Sequence, residues 1–92
     1  MSKIYLTKPF TMTLEEVREG LEKLGGGLKE SYGMDYKWDG KNKVIFKHKA
    51  GRGHVEIRGN ELVLDLKLGI MYAAMAPVIK KRITEMADEY VT

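Results

Sequence analysis

The order of apolar and polar residues along the chain predicts five strands and at least two helices. Apolar residues alternate with polar ones in five short runs, as they do in strands with one buried face. These runs cover residues 3–7, 34–39, 43–49, 54–58 and 61–68. The turn-forming sequences DGKN, AGRG and GN separate the last four runs, so we predict that these strands form an antiparallel meander.

A helical pattern follows the first strand. Thr13 is a suitable N-cap, with Glu16 at the spacing of a capping box, and Gly33 is a suitable C-terminal stop. The glycines 25–27 conflict with this pattern, because each costs about 1 kcal/mol relative to alanine inside a helix. We predict a continuous but weak helix, with a break at the glycines as the alternative, because the apolar stripe keeps its phase: Leu14, Val17, Leu21, Leu24, Leu28 and Tyr32.

The C-terminal part is helical and interrupted by Pro77. Proline is unfavourable inside a helix but suits a first turn, so we expect residues 70–76 to form a helical segment that restarts at Pro77. The second part has a regular apolar stripe, made of Ile79, Ile83, Met86 and Tyr90. The first part is apolar nearly all round, unlike an ordinary surface helix.

These elements predict one α+β domain over residues 1–92, in the order β-α-β-β-β-β-α. One face of the sheet is apolar, and both helices carry an apolar stripe. The economical arrangement packs both helices on that face as a two-layer sandwich. The opposite face of the sheet carries the lysines and meets water.

Composition excludes several classes of protein. The 92 residues include no cysteine, which excludes disulfides and thiolate metal sites. The uncharged run Leu68–Ile79 is about 18 Å long as a helix, too short for a bilayer core of about 30 Å, so we expect no transmembrane segment. Residues 1–10 lack the apolar core of a signal peptide, so we expect no export signal and a cytoplasmic protein.

The net charge of +3 comes from the middle of the chain, because residues 41–58 contain six Lys or Arg and one acid. Such a hairpin can meet the phosphates of a nucleic acid. The aromatic residues that would stack on bases, Tyr36 and Trp38, are needed in the core. We therefore expect no nucleic-acid partner and keep a basic-hairpin nucleic-acid binder as an alternative. The candidate basic patch consists of Lys43, Lys47, Lys49, Arg52 and Arg58.

Catalytic chemistry has little support in the sequence. The only serines are Ser2 and Ser31, and no nucleophile-elbow motif occurs. His48 and His54 flank the AGRG sequence, and whether they share a face depends on the register of the hairpin. We expect solvated histidines, no metal, no cofactor and no enzymatic activity.

The apolar start of the C-terminal helix is the strongest candidate for a binding surface. Its side chains point in several directions, so some must face away from the sheet. Exposed apolar patches usually mark a contact with a protein, a ligand or a membrane surface, and methionine adapts to irregular partners. The alternative is that these apolar side chains are covered by the first helix or by a second copy of the chain. The candidate residues are Ile70, Met71, Tyr72, Met75, Val78, Lys80, Lys81 and Arg82.

The sequences YGMDYKWDG, VIFKHK, GHVEIRG and LVLDLKLGIMYAAMAPVIKKRITE resemble the polyhydroxyalkanoic acid system proteins, a small bacterial family. The resemblance covers nearly the whole chain, and the triple glycine departs from the helix formers expected there. It implies a cytoplasmic protein that is associated with polyester storage by gene neighbourhood, and it transfers no catalytic residues.

The resemblance and the apolar helix together suggest a non-enzymatic accessory protein that binds a granule surface or a granule protein, and we expect a homodimer through the C-terminal helix. An alternative is a small-ligand module, because the layout looks like a shortened helix-grip protein that holds lipids or acyl groups. The candidate ligand slot comprises Tyr36, Trp38, Phe46 and Leu64, with Met71 and Met75 beside it.

Overall fold

The computed structural model describes residues 2–92, with the side chain of Ser2 left out. It confirms the predicted fold class and element order. A short 3-10 helix precedes the last α-helix. The elements are β1 (Ser2–Pro9), α1 (Leu14–Tyr32), β2 (Asp35–Trp38), β3 (Lys43–His48), β4 (Gly51–Arg58), β5 (Glu61–Leu68), the 3-10 helix (Ile70–Met75) and α2 (Ala76–Tyr90).

The five strands form one antiparallel sheet in the order β1-β5-β4-β3-β2. Strands β2 to β5 are a meander, as the turn signals predict, and β1 closes the sheet by pairing with β5 along its whole length. Ser2 lies opposite Leu68, and Pro9 lies opposite Glu61. This register puts alternate residues of every strand on the same face, so the sheet has one apolar and one polar side.

Helix α1 begins and ends where the sequence indicates. The Thr13 hydroxyl accepts a hydrogen bond from the Glu16 backbone N–H at 3.2 Å, and the Glu16 carboxylate accepts one from the Thr13 N–H at 3.0 Å. The helix ends at Gly33, which has φ 69° and donates its N–H to Lys29. Glycine adopts this left-handed conformation without steric cost, which explains the sharp stop.

The structure confirms that α1 continues through the triple glycine, and it gives a steric reason for Gly25. A Cβ on Gly25 would lie 2.8 Å from the Tyr36 ring, and a Cβ on Gly27 would lie 2.7 Å from Met86 Cε. Gly26 has nothing within 4 Å of the corresponding position. Helix propensity is therefore lost at Gly25 in exchange for close contact of α1 with the sheet, whereas the flexible end of Met86 can move away from a Cβ on Gly27.

The prediction that AGRG is a loop was wrong in part. Strand β4 begins at Gly51, so Gly51, Arg52 and Gly53 belong to the strand and only residues 49 and 50 form the turn. The glycines suggest a loop because they have low strand propensity. In the structure a Cβ on either glycine would overlap the β5 backbone, at the carbonyl oxygens of Lys67 and Asp65. Close backbone approach, a recognised use of glycine in strands, explains both residues.

The C-terminal segment divides near Pro77, as predicted. The first part, Ile70–Met75, is a 3-10 helix, and α2 starts at Ala76 with the proline in its first turn. Proline fits there because the N–H it lacks would have no partner within the helix. The predicted apolar stripe of α2 faces inward. Ile83 is buried, and Ile79, Met86 and Tyr90 pack at the edge of the core.

A single core lies between the sheet and the two helices. Val17, Leu21 and Val44 are fully buried at its centre. The buried residues of this core are Ile4, Phe10, Val17, Leu21, Leu24, Leu28, Val44, Phe46, Val55, Ile57, Leu62, Leu66, Leu68, Ile83 and Val91. Among the described residues, no charged or polar side chain is buried, so the core depends on apolar packing alone.

We predict opposite effects for two neighbouring substitutions in α1. Gly26→Ala should raise the free energy of unfolding by about 0.5–1 kcal/mol, because it lowers the entropy of the unfolded chain and meets no atom in the fold. Gly25→Ala should lower it by about 1–3 kcal/mol, because the added methyl displaces the Tyr36 ring. Urea unfolding of both variants measures the difference, and equal gains in stability would contradict the close contact between α1 and β2.

We also predict that part of the acid sensitivity of the fold comes from Glu16. Its hydrogen bonds from Thr13 lower the pKa of the Glu16 carboxyl below its ordinary value of 4.5. A lowered pKa in the folded state means that this stabilisation is complete above pH 4.5 and is lost as the pH falls through the folded-state pKa. Glu16→Gln keeps a capping amide but does not titrate, so urea midpoints should fall less steeply with acid.

Glu15→Gln is the matched control for this measurement, because Glu15 lies in the same first turn and its side chain makes no hydrogen bond in the described part of the chain. The Glu15→Gln variant should keep the acid slope of the parent more closely than Glu16→Gln. An identical slope in the parent and in both variants would show that the capping box contributes nothing to acid unfolding.

Candidate functional site

The start of the C-terminal segment exposes several large apolar side chains. The exposed fraction is 78% for Ile70, 89% for Met71, 50% for Met75 and 61% for Val78. We call these four residues the apolar surface. They lie within a short stretch of chain, residues 70–78, and the 3-10 helix contains no buried residue.

The 3-10 conformation explains why these side chains face outward. The helix leaves the end of β5 at Gly69, whose N–H donates to the Ala50 carbonyl at 2.9 Å, and Tyr72 N–H donates to the Gly69 carbonyl at 3.0 Å. In a 3-10 helix side chains three residues apart lie above one another. Tyr72 and Met75 therefore share the side that borders the core, and Ile70 and Met71 are left on the outer sides.

Three cations follow the apolar surface in the first turns of α2. Lys80 and Lys81 are exposed and form no ion pair within the described residues. Arg82 Nε donates a hydrogen bond to the Tyr32 hydroxyl at 3.2 Å, which raises the pKa of the Arg82 guanidinium, and Arg82 Nη1 lies 3.6 Å from Glu85. Arg82 therefore joins α2 to the end of α1, and Lys80 and Lys81 remain available to a partner.

An apolar cavity of about 170 Å³ lies beside this surface. Its wall comes from the end of α1, from the sheet, and from the inner sides of the 3-10 helix and α2. Leu28, Leu68 and Ile79 line its interior, and Met75 contributes to both the cavity and the apolar surface. Tyr32 and Arg82 also border it, but they contribute almost only carbon atoms, so the wall of the cavity is apolar throughout.

The predicted ligand-slot residues face the helices but do not form one slot. The Tyr36 and Phe46 rings are 6.3 Å apart under α1. Glu22 accepts hydrogen bonds from Tyr36 Oη, at 3.0 Å, and from Trp38 Nε1. The bond to Glu22 also raises the pKa of the Tyr36 hydroxyl. Leu64 lines a different cavity, between the sheet and α2.

The two histidines lie on opposite faces of the sheet. His48 is paired with Gly51 on the helix side, and its Nδ1 accepts a hydrogen bond from the Ala50 N–H at 3.0 Å. His54 is paired with Ile45 on the open side. Across residues 2–92, no group of three or more His, Asp or Glu side chains has the arrangement of a metal site.

The predicted basic patch is largely on the open face of the sheet. Lys43, Lys47, Arg52 and Arg58 occupy this face, and Lys49 lies in the turn before β4. Arg58 Nε donates to the Glu56 carboxylate, which lowers the pKa of Glu56. Arg58 is thereby paired with an acid.

Sequence reasoning missed two cations that extend this patch across the sheet, Lys3 and Lys67. Their strands lie far apart along the chain, but Lys3 pairs with Lys67, and Lys67 pairs with Arg52. Strand alternation placed both on the polar face, and only the order of the strands shows that they continue the patch. The open face contains a cavity of about 350 Å³ lined by these residues.

No helix in the described part of the chain is long and apolar enough to cross a membrane. Comparison with known protein families matches residues 4–91 to the family described as "Putative polyhydroxyalkanoic acid system protein". Searches of curated proteins and of solved structures found no match. The chain therefore belongs to the polyhydroxyalkanoic acid system protein family, which confirms the resemblance seen in its sequence.

Proposed function

We propose that this protein is an accessory protein of polyhydroxyalkanoate storage that binds the granule surface, or a protein on it, through the apolar surface. The observation that carries the proposal is the exposure of Ile70, Met71, Met75 and Val78 in a member of this family. Ile70, Met71 and Val78 are mostly exposed in the single chain, and Met75 is half exposed at the edge of the cavity. Contact with an apolar partner removes them from water, which is favourable.

The surroundings of the apolar surface suit an interfacial contact. Helices that lie on a membrane present apolar side chains to the interior and cations to the water or to anionic groups. Here Lys80 and Lys81 follow Val78 closely in sequence and are exposed. The proposed contact buries the methionines in the polymer surface and leaves the lysines at its edge.

The proposal assigns a binding role in the cytoplasm and no catalysis. The side chains that carry it are apolar and have no nucleophilic or acid-base group. A second copy of the chain is another way to cover the same surface, so the proposal includes a homodimer through the C-terminal segment when no granule is present. Dimer and granule then compete for the same residues.

The direct experiment is co-sedimentation of the purified protein with polyhydroxyalkanoate granules, comparing the parent with Met71→Lys. Burying a methionine side chain contributes about 1.5–3 kcal/mol, so the substitution should lower granule affinity by about tenfold or more. Because Met71 is exposed, the free energy of unfolding should change by no more than about 0.5 kcal/mol. Binding is measured as the protein fraction in the pellet across a granule titration.

Leu14→Lys is the matched control, because Leu14 is also an exposed apolar residue but lies in the first turn of α1. It introduces the same charge and should leave granule binding nearly unchanged. Equal granule binding by the parent and by Met71→Lys would show that the apolar surface does not bind granules. Equal losses in Met71→Lys and Leu14→Lys would show an effect of net charge alone.

A second candidate function is binding of a small apolar ligand in the cavity lined by Leu28, Leu68 and Ile79. The observation in its favour is a cavity of about 170 Å³ whose wall is nearly all apolar and includes Arg82. This volume is below the roughly 300 Å³ of common ligand pockets, so the ligand would be a short acyl chain.

This candidate predicts saturable binding of hexanoate, measured by calorimetry. Ile79→Phe fills the cavity from its α2 side and should weaken hexanoate binding by about tenfold or more, since the ligand loses apolar contact area. Val78→Phe, one residue away and exposed, is the control and should bind like the parent. Hexanoate binding that is unchanged in Ile79→Phe, or absent from the parent, would contradict this candidate.

A further inference from the structure

The open face of the sheet carries a row of four cations in direct cross-strand register. Lys47 pairs with Arg52, Arg52 with Lys67, and Lys67 with Lys3, so the row crosses β3, β4, β5 and β1 in turn. Neighbouring strands are about 4.8 Å apart, which makes the row roughly 14 Å long. We call Lys47, Arg52, Lys67 and Lys3 the cation row.

The cation row is unfavourable for the fold itself. Like charges directly opposite each other on neighbouring strands destabilise a sheet. Lys3 is partly compensated, because its Nζ lies 3.6 Å from an Asp65 carboxylate oxygen. Within the described part of the chain, Lys47, Arg52 and Lys67 form no ion pair. Solubility requires exposed charge, but it does not require cations in consecutive paired positions.

The row lies along a shallow, open depression of this face. The cavity of about 350 Å³ on this face is lined by all four cations of the row and also by Lys43 and His54. Asp65 is its only acidic lining residue, and that carboxylate is already engaged by Lys3. The site therefore presents a strong excess of positive charge to a ligand that has several negative groups in a line.

We propose that this face binds a small molecule that carries a chain of linked phosphate groups, laid along the cation row. Arg52 supplies a planar fork of donors for phosphate oxygens, and the lysines supply compact charges on either side. The inference is independent of the granule-binding role, because the row lies on the sheet face opposite the helices.

A small ligand fits the site better than a nucleic acid does. Binding of single strands relies on aromatic side chains on which successive bases stack. Among the described strand residues of this face, Tyr5 is the one aromatic, and it lies in the neighbouring row, opposite Asp65. Asp35 limits the row at β2, where it pairs with Lys47. The cavity volume is within the range of small-molecule sites.

The test is calorimetric titration of the whole protein with inorganic tripolyphosphate at fixed salt, beside ATP and inorganic monophosphate. Tripolyphosphate should bind with a stoichiometry of one, and monophosphate should bind at least about tenfold more weakly, because it meets fewer cations. Equal affinity for tripolyphosphate and ATP would identify the phosphate chain as the recognised group. Tighter binding of ATP than of tripolyphosphate would show that the ligand with the phosphate chain is a nucleotide.

The decisive variant is Arg52→Gln with Lys67→Gln, which removes the two central cations of the row from exposed positions. Tripolyphosphate affinity should fall by about tenfold or more, because hydrogen bonds to charged groups are lost. Lys80→Gln with Lys81→Gln removes the same charge from α2 and should change the affinity by less than about twofold.

Three results would overturn the proposal. One is the absence of saturable tripolyphosphate binding by the parent protein. Another is an equal loss of affinity in the row variant and in the α2 variant, which would reduce the effect to net charge. The third is a row-dependent affinity for an oligothymidylate that exceeds the affinity for tripolyphosphate, because the occupant would then be a nucleic acid.

Discussion

The fold depends on the close approach of α1 to the elements around it. Gly20 and Gly25 lie on α1 where a Cβ would meet the Tyr90 carbonyl oxygen and the Tyr36 ring. A small domain buries a modest core, so the distance between its layers strongly affects how much apolar surface leaves water. The helix gives up propensity at these positions, and the layers gain contact.

Because both helices cover the same face of the sheet, the 3-10 helix and the opposite face of the sheet stay exposed. Helix α2 packs against the core from Ala76 onward, and the 3-10 helix before it begins at Ile70, beyond the end of β5. Ile70 and Met71 therefore have no second layer above them. In the described part of the chain no helix covers the opposite face of the sheet, so its cations that have no ion pair can meet a ligand. The two candidate surfaces thus have one common origin, a single core on one side of one sheet.

Local chemistry accounts for what could be predicted from the sequence. The capping box at Thr13, the stop at Gly33 and the restart near Pro77 each depend on neighbouring residues, and all three were predicted correctly. The start of β4 was predicted incorrectly. Gly51 belongs to the strand because the β5 backbone lies too close to leave room for a Cβ at this position. Contacts between distant strands leave no local signal in the sequence.

The same distinction applies to the sites. The apolar surface is one stretch of chain, so its residues could be found by reading along the sequence, and the structure places Ile70 and Met71 in water. The cation row combines β1 and β5 with the central hairpin, and its membership depends on strand order. Half of it, Lys47 and Arg52, was predicted, and the other half, Lys3 and Lys67, required the sheet. The wall of the apolar cavity beside the 3-10 helix combines residues of α1, of the sheet and of the C-terminal segment, so it could not be predicted from any one of them.

The pairing of β1 with β5 has a consequence for how the chain folds during synthesis. Strands β2 to β5 find their partners within short hairpins, but β1 cannot pair until Glu61–Leu68 has left the ribosome. Such non-local pairing slows folding. Until then β1 is an unpaired strand, the state in which strands join the wrong neighbour. Lys3 and Lys8 lie on opposite faces of β1. Charged residues in a strand discourage such association, so we expect both lysines to protect β1 before it pairs with β5.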